Sequence, residues 1–511
     1  MGLALEQNGQ ADLALATYAR MTSLWPKEIA PYHRLSVLAL RDKDAAHALV
    51  WIDKALEVDR GLVELWNNRG LALTELGRYD EAKRAFDEAI AIREENWDAY
   101  YNLGRMLFLQ KRFEEAEPVL RRAAELDQRS AMTFNNLGLV YHQLHRYDEA
   151  CAAFDRAIEI DPTYIEARSN KGASLFLSRR FRDAESQWRE TLRDAPEEAG
   201  VHYNLASLLL CQGNLADGFR EYEWRWKTKG WVPMRTYHGR PLWDGDAAGG
   251  ETILVWHEQG FGDTIQFVRF VQELSRQNVE IVLEVQAELY RLLAASFSLP
   301  NVRIIRGGTN PPTFDYHIPL LSLPSILGIQ YETFPAFKPY VRPRGWEVDE
   351  WRMKLKKMTP VEHRKKKKIG IAWAGNPSHP ADHNRSMSWN TFAPIVESYK
   401  DRFQFFDLQP TSSSGPADNM IVLGDQLKDF GVTAAIMANL DLVISVDTSI
   451  VHLAGALGRR VWNLLSYTPD WRWKIGDERT PWYPSMTLFW QQSPSSWDNV
   501  ISEVIETLSL E

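Results

Sequence analysis

A 34-residue repeat is the feature that most constrains the fold of this chain. Small residues recur at this spacing as Gly70, Gly104, Gly138 and Gly172, and Ala206 continues the series. Aromatic, alanine and large apolar positions recur at the same spacing: Tyr79, Phe113, Tyr147 and Phe181; Ala82, Ala116, Ala150 and Ala184; Phe86, Leu120, Phe154, Trp188 and Tyr222. This pattern predicts pairs of short antiparallel helices whose backbones meet at the small residues. Because one pair cannot bury its apolar face alone, the pairs are expected to stack.

The repeat resembles the tetratricopeptide repeat and extends over residues 1–226. Such repeats imply an α-helical superhelix that binds proteins on its concave face. Gly2 already matches the small position of the later units, so we expect the first unit to be truncated at Met1.

An asparagine ladder accompanies the repeat, always two positions before the small residue. Its members are Asn68, Asn102, Asn136, Asn170 and Asn204. An amide offers both donors and an acceptor, so a ladder on the first helices can hold an extended peptide backbone. The alternative is that these amides make contacts between neighbouring repeats. We interpret the ladder as the binding site of an acceptor protein.

Composition and charge limit the possible partners. A chain of 511 residues is longer than one hydrophobic core usually organises, so we expect several domains. A net charge of -9 gives no overall attraction to nucleic acid or to an anionic membrane. Cys151 and Cys211 fall within helical repeats, outside any metal-ligand spacing, so we expect buried reduced thiols. With no leader pattern and no apolar run of about 18 residues, we expect a cytoplasmic protein that is not integral to a membrane.

Beyond the repeats, short apolar strands alternate with helical segments, which predicts two α/β lobes. Trp224, Trp226, Trp231 and Trp243 are expected to join the repeats to these lobes. The last helix could pack back on the first lobe. The predicted divisions are repeats 1–226, junction 227–250, first lobe 251–345, basic linker 346–367 and second lobe 368–511.

A candidate anion site follows the buried strand of the second lobe. The apolar run that ends at Val446 is followed by Asp447, Thr448 and Ser449 and then by a helix. Ligands bind at the carboxyl ends of such strands, and the free N–H groups of a helix start favour a phosphate. The alternative is that one of these polar residues only caps the helix.

The corresponding position of the first lobe holds the sequence GFGD, Gly260 to Asp263. The Asp263 carboxylate is placed to remove a hydroxyl proton, and His257 and Glu258 are rival bases by the same geometry. The alternative is that Asp263 only caps a helix. The DGD sequence of the junction suggests a metal site only weakly, so we expect no metal.

Four ordered motifs resemble glycosyltransferase family nine, which includes lipopolysaccharide heptosyltransferases: WHEQGFGDTIQFVRF, WAGNPSHPADHNRSM, DTSIVHLAGALG and PDWRW with PWYP. The resemblance implies a GT-B fold of two Rossmann-like lobes that works without a metal and inverts the anomeric centre. With the repeats attached, the chain is similar to bacterial repeat-containing protein glycosyltransferases, including those that modify flagellin. O-GlcNAc transferase has a comparable architecture.

The resemblance also implies roles for residues. Asp263 matches the candidate general base, and Ser449 stands where the family has glycine. Gln409 is expected to touch the nucleotide. Trp471, Arg472 and Trp473 are expected to stack on a sugar or close the cleft, and the alternative is that these aromatic residues pack between the lobes. The other residues expected at the nucleotide-sugar donor are Gly375, Asn376, Arg385, Asp447, Thr448 and His452.

The sequence therefore predicts an inverting glycosyltransferase that moves a sugar from a nucleotide-sugar to Ser or Thr of a protein held by the repeats. The donor is a substrate, and no cofactor is expected. One alternative is a non-catalytic repeat scaffold with a degenerate transferase domain. The other is a heptosyltransferase-like enzyme that acts on a glycolipid. The sugar, the base and the acceptor stay open.

Overall fold

The computed structural model describes every residue except 1, 229, 232–233, 238, 247–248, 332–333, 335–337, 380–381, 411–419 and 469. Met1 and parts of the WAGNPSHPADHNRSM and PDWRW motifs thus lie outside the described residues. The chain forms two compact units, Met1–Glu197 and Glu198–Glu511.

The first unit consists of α-helices that pack as antiparallel pairs, as the 34-residue pattern predicts. The helices are α1 (Gly2–Gln7), α2 (Ala11–Leu24), α3 (Ile29–Arg41), α4 (Ala45–Val58), α5 (Val63–Glu75), α6 (Tyr79–Ile92), α7 (Trp97–Leu109), α8 (Phe113–Leu126), α9 (Ala131–Gln143), α10 (Tyr147–Ile160), α11 (Ile165–Leu177) and α12 (Phe181–Asp194). The turn inside each pair contains one residue with positive φ: Gly9, Lys43, Gly77, Lys111, His145 and Arg179.

The small positions of the repeat are the points where the two helices of a pair come closest. A Cβ atom built on Gly138 would lie 2.6 Å from the Phe154 ring, and one built on Gly172 would lie 2.3 Å from Trp188 Nε1. Phe154 and Trp188 are buried, so these rings have little space in which to move. The predicted pairing of small and large residues is confirmed.

The last predicted helix pair belongs to the second unit. It comprises α13 (Ala199–Cys211) and α14 (Leu215–Tyr222). Phe219 of α14 makes edge contacts with the rings of Phe267 and Trp471, which lie in the α/β part of the chain. These aromatic contacts explain why the compact unit begins before the predicted boundary at residue 226.

The first sheet is parallel, with the strand order β3-β2-β1-β4. Its strands are β1 (Thr252–Trp256), β2 (Glu280–Val285), β3 (Val302–Arg306) and β4 (Tyr316–Pro319). In register, Ile253 of β1 faces Ile281 of β2 and Tyr316 of β4. The helices of this lobe are α15 (Phe261–Phe267), α16 (Arg269–Leu274), α17 (Ala287–Ser296) and α18 (Leu323–Ile326).

The second sheet is also parallel, with the order β10-β9-β8-β5-β6-β7. Its strands are β5 (Lys367–Ala372), β6 (Phe403–Asp407), β7 (Met420–Val422), β8 (Leu442–Val446), β9 (Val461–Leu465) and β10 (Met486–Trp490). The helices of this part are α19 (Gly345–Met358), α20 (Asp382–Arg385), α21 (Trp389–Tyr399), α22 (Phe430–Met437), α23 (Ser449–Ala456) and α24 (Asp498–Ser509). The predicted fold class, a helical-repeat stack followed by two Rossmann-like α/β lobes, is confirmed.

Two expectations about the second lobe are corrected. Most of the predicted linker 346–367 is helix α19, which buries Trp351 and Leu355 and packs against α22. Helix α24 packs against α21 and β10 of its own lobe, because Val500 and Val504 belong to the core of the second sheet. None of the described helices combines the length and the apolarity that a membrane crossing requires.

The first prediction concerns the close approach inside a repeat. We expect Gly138→Ala to lower the free energy of unfolding by about 1–3 kcal/mol, because the new methyl group overpacks the Phe154 ring. Gly200→Ala is the control, since the nearest atom to a Cβ there is a Glu198 carboxylate oxygen at 3.8 Å. That change should be neutral or stabilise by up to about 1 kcal/mol. Urea unfolding followed by circular dichroism measures both, and equal effects would contradict this account.

Candidate functional site

A cavity of about 1270 Å³ lies within the second unit, between its two sheets. Residues that follow β1, β6 and β8 line it, together with the first residues of α15 and α23. The carboxyl ends of the central strands of both sheets therefore open into one space. Ligand sites of open α/β sheets lie at such strand ends.

Two helix starts meet inside this cavity. Helices α15 and α23 pack against each other, and a Cβ atom on Gly262 would lie 2.8 Å from Cδ2 of His452. His452 is buried, its Nδ1 lies 3.0 Å from the Tyr483 hydroxyl, and burial lowers its pKa well below the ordinary value. A larger residue at Gly262 would force the His452 ring or the helices to shift, so this glycine allows the close approach of α15 and α23.

Asp263 lies at this contact and has partners on both carboxylate oxygens. Oδ2 accepts a hydrogen bond from the Gly260 N–H at 2.8 Å, and Oδ1 is paired with Arg472. Burial raises the pKa of Asp263, against the opposing positive charge of Arg472. The alternative of helix capping thus accounts for one oxygen, while the other faces a charged group of the second lobe.

Glu258 is held in a buried ion pair. Its oxygens accept bonds of 2.9 and 3.1 Å from the Arg225 guanidinium, and the Leu321 N–H donates to it at 3.1 Å. Arg225 is itself completely buried and also donates to Ser322. Burial raises the pKa of Glu258 against the opposing charge of Arg225. The carboxylate therefore has a structural role that the sequence did not indicate.

His257 lines the cavity beside a second charged pair. Its Nδ1 lies 3.1 Å from Oε1 of Glu284, a buried carboxylate that also pairs with Arg235. Burial alone would raise the pKa of Glu284, but the interactions of this carboxylate with His257 and Arg235 outweigh burial and lower that pKa. An acceptor hydroxyl would have to compete with these partners for His257.

Asp447 and Thr448 lie at the end of β8. Asp447 Oδ2 accepts a hydrogen bond from Trp473 Nε1 at 2.8 Å, and burial together with the charge of Asp470 raises the pKa of Asp447 to about 6. Thr448 is the N-cap of α23, where its hydroxyl accepts from the Ile450 N–H at 3.3 Å. The capping alternative thus applies to Thr448, and Asp447 makes a different contact.

The loop after β5 supplies the next wall of the cavity. A Cβ on Gly375 would lie 3.1 Å from an Arg385 guanidinium nitrogen, so the glycine allows a close approach of this side chain. Arg385 Nε donates to Asp382 at 3.3 Å, and its side chain keeps 24% exposure. Asn376 Oδ1 accepts from the Ser378 N–H in a turn.

Gln409 follows β6 and is buried, with its side-chain oxygen accepting from the Ala374 N–H at 3.3 Å. The structure thus brings together all the predicted catalytic and donor residues in one cavity: His257, Glu258, Asp263, Gly375, Asn376, Arg385, Gln409, Asp447, Thr448, Ser449 and His452.

Some residues that line the cavity were not predicted from the sequence. They are Arg235, Glu288, Lys428 and Phe430. His379 and Asp470 also line it; they lie in two of the family motifs, but no role was predicted for either. Lys428 and Phe430 precede and begin α22, so their position after a strand was an available signal. Arg235 lies in the irregular junction, where no periodic pattern indicates orientation.

The asparagine ladder makes contacts between repeats in the first unit. Asn102 donates to Asn67 at 3.0 Å, and Asn136 donates to the Tyr101 hydroxyl at 3.0 Å. Asn170 repeats the arrangement with Asn135, also at 3.0 Å. For these three members the structure shows the alternative interpretation, contacts between neighbouring repeats, because one amide N–H of each donates to a residue of the preceding repeat. Asn68 lies on α5, and Asn204 lies on α13 of the second unit.

No group of three or more His, Cys, Asp or Glu side chains is arranged to hold a metal in the part of the chain that the structure describes. In the DGD sequence, the Asp246 N–H donates to the Asp244 carboxylate at 3.1 Å, which is a turn contact. The two cysteines, Cys151 and Cys211, are buried and unbridged, and burial raises the pKa of each thiol.

Comparison with known families assigns both kinds of domain. Residues 67–131 and 171–228, and separately 131–164, match the tetratricopeptide repeat. Residues 425–507 match glycosyltransferase family 9 (heptosyltransferase). The chain therefore carries tetratricopeptide repeats and a glycosyltransferase family 9 domain. The matched family 9 segment includes Asp447, Thr448 and His452.

Two relatives are similar in sequence. Protein FlbA of Caulobacter vibrioides is 23% identical over 339 residues, which cover 61% of this chain and 56% of that protein. An uncharacterized protein of Methanocaldococcus jannaschii is 32% identical over 76 residues, or 15% of this chain and 88% of that protein. The chain thus spans little more than half the length of FlbA.

Solved structures that match part of this chain include repeat proteins. YrrB, a TPR protein with an unusual peptide-binding site, is 24% identical with a TM-score of 0.32 and covers 36% of this chain and 95% of its own. PilF of Pseudomonas aeruginosa is 20% identical with a TM-score of 0.35 and covers 39% and 89%.

The second prediction tests the structural role of the Arg225–Glu258 pair. We expect Arg225→Ala to cost about 3–5 kcal/mol of unfolding free energy, because it leaves a buried carboxylate without its main partner. Arg220→Ala is the control: this arginine pairs with Asp217 at the surface with 70% exposure, and its loss should cost less than about 1 kcal/mol. Denaturant unfolding distinguishes them, and a small loss for Arg225→Ala would refute the role.

Proposed function

We propose that this chain is an inverting glycosyltransferase that moves a sugar from a nucleotide-sugar to a Ser or Thr hydroxyl of a protein. The observation that supports this most strongly is the shared cavity, which is lined by Asp263 of the first lobe and by Asp447 and Thr448 of the second. The family 9 match supports a transferase domain, and the two-lobed cleft agrees with the GT-B arrangement that the resemblance implies.

The donor is proposed to bind against the second lobe. Its phosphates would lie near the start of α23, where the helix dipole favours an anion and a phosphate would compete with Thr448 for the first backbone N–H groups. Arg385 and Lys428 also line this wall, and their positive charges would stabilise the departing nucleoside diphosphate. Gln409 lies on the same side, where it is available to the nucleotide. This charge compensation requires no metal.

The acceptor hydroxyl is proposed to enter from the first lobe. Its oxygen forms a bond to the anomeric carbon, the bond from that carbon to the phosphate oxygen breaks, and Asp263 takes the hydroxyl proton. One displacement at one carbon inverts its configuration. Trp226, Trp231, Trp256 and Arg235 line this half of the cavity, so the acceptor meets aromatic walls and a cation.

A protein acceptor is favoured over a glycolipid because of the repeats. A stack of helix pairs presents an extended surface of the kind that binds polypeptides, and a lipid-linked sugar has no use for it. Because amides of the ladder also join repeats, their carbonyl oxygens and neighbouring side chains would supply much of the contact. If the chain were instead a non-catalytic scaffold, the repeats would bind a protein but the two α/β lobes would transfer no sugar.

The third prediction concerns the base. We expect Asp263→Asn to lower kcat for sugar transfer by roughly 10²–10⁴-fold, because the amide cannot take up a proton. Binding of nucleoside diphosphate, measured by calorimetry, should change little. Asp349→Asn, on the exposed face of α19, is the matched control and should keep full activity.

If Asp263→Asn transfers sugar at the wild-type rate, the base assignment is wrong. His257→Gln is then the next variant, since His257 lies in the same cavity. Glu258→Gln follows only with a stability measurement, because its carboxylate also holds Arg225.

The fourth prediction concerns the acceptor. A chain that starts at Glu198 keeps the complete second unit, including α13 and α14. We expect it to hydrolyse or bind the nucleotide-sugar as the full chain does, while transfer to an acceptor protein falls at least tenfold. The assay measures transfer of radiolabelled sugar to protein and to lipid acceptors side by side. Undiminished transfer to protein would contradict the role of the repeats, and transfer to lipid alone would favour the glycolipid alternative.

A further inference from the structure

Arg472 connects the candidate base to the opposite lobe. It lies between β9 and β10 of the second lobe, whereas Asp263 lies in α15 of the first. We propose that Arg472 is a positioning residue that keeps the Asp263 carboxylate ionised and oriented for proton removal, and that Asp470 limits this effect. This inference rests on the proposed function, in which Asp263 is the base.

The geometry fixes the Arg472 guanidinium from three sides. One terminal nitrogen pairs with Asp263 Oδ1, the other donates to Asp470 at 2.5 Å, and Nε donates to the Gln266 side chain at 2.7 Å. The guanidinium also lies over the Trp471 ring, 4.3 Å from its centroid. With a side-chain exposure of 8%, Arg472 is shielded from solvent. A planar group held by three polar partners and a ring has little freedom to turn.

The position of Arg472 makes its charge effective. Arginine stays protonated in proteins, and a positive charge in a poorly solvated site acts more strongly than one in water. Asp263 is poorly solvated, so burial alone would favour its neutral form and leave it unable to accept a proton. Arg472 opposes that tendency. Asp470 carries a negative charge that shares the same guanidinium and weakens its effect on Asp263.

The remaining groups around Asp263 do not replace this charge. His452 of α23 faces Gly262, and burial lowers its pKa well below the ordinary value, so it stays neutral. Burial also lowers the pKa of His379. Tyr203 of α13 interacts with Asp263 and Arg472, and burial raises its pKa to about 12, so it too stays neutral at working pH.

The test is the pH dependence of kcat/KM for sugar transfer in the full chain. A carboxylate base works only when ionised, so kcat/KM rises with pH through the pKa of Asp263. This rising part of the pH profile is the acid limb. In Arg472→Gln that acid limb should move upward by roughly one to three pH units, the range that an adjacent arginine imposes on an aspartate. In Arg472→Lys the shift should be smaller, because the charge is kept. In Asp470→Asn the limb should move to lower pH.

Arg276→Gln is the matched control, because this arginine pairs with Glu273 at the surface with 71% exposure. Its acid limb should coincide with that of the wild type. A merely structural role for Arg472 would lower activity at every pH without moving the limb, and that result would overturn the inference. If Arg472→Gln does not fold, Asp470→Asn is the deciding variant, because it keeps the pair with Asp263. Since Asp470 also raises the pKa of Asp447, the titration of the Asp263 carboxylate itself is followed there, and an unmoved midpoint is equally contradictory.

A second readout separates this inference from the proposed function. The infrared carboxylate band that Asp263→Asn removes reports the protonation of Asp263 directly, without any transfer. We expect its titration midpoint to rise in Arg472→Gln and to fall in Asp470→Asn. If the wild-type protein transfers no sugar but the titration midpoint of Asp263 shifts in the variants as expected, only the proposed function is rejected. If the wild-type protein transfers sugar but the midpoint does not shift in the variants, only the role of Arg472 is rejected.

Discussion

The contact between Gly262 and His452 sets the geometry of the cavity on which the whole site depends. Because Gly262 has no side chain, the start of α15 lies against α23, and the ends of β1 and β8 face one space. Asp263 is then close enough to pair with Arg472 of the other lobe. A side chain at Gly262 would displace the His452 ring or α15 itself, and so disturb the contact that holds the two groups of the proposed reaction on opposite sides of the cavity.

The first unit uses the same device for a different purpose. Gly70, Gly104, Gly138 and Gly172 let each helix approach its partner, and a large ring or leucine fills the space beside them. In the repeats this close approach recurs at a fixed interval and builds a stack. In the second unit the contact of Gly262 with His452 joins a helix of each lobe, at the point where the chemistry is proposed. Aromatic contacts of Phe219 extend the second unit to include a helix pair of the repeat type.

Periodic features of the fold could be predicted from the sequence, because stacking requires the same residue sizes at every turn of the repeat. The two parallel sheets followed from buried strands such as the one that ends at Val446, and the residues after those strands were found in one cavity. Pairings between distant residues could not be predicted. Arg472 and Asp263 are 209 positions apart, and no local pattern shows which carboxylate an arginine will meet. For the same reason the pairing of Glu258 with Arg225 could not be predicted. Helix α19 was predicted as a linker because most of its residues are charged or polar, although it buries Trp351.

The most direct measurement is a crystal structure of the full chain with a nucleoside diphosphate bound. We expect phosphate oxygens within hydrogen-bond reach of the start of α23, near Thr448, and the Asp263 carboxylate across the cavity with room for a sugar between them. Phosphates bound outside this cavity would contradict this expectation. So would lobes that hold the nucleotide with Asp263 turned away from the space beside its terminal phosphate.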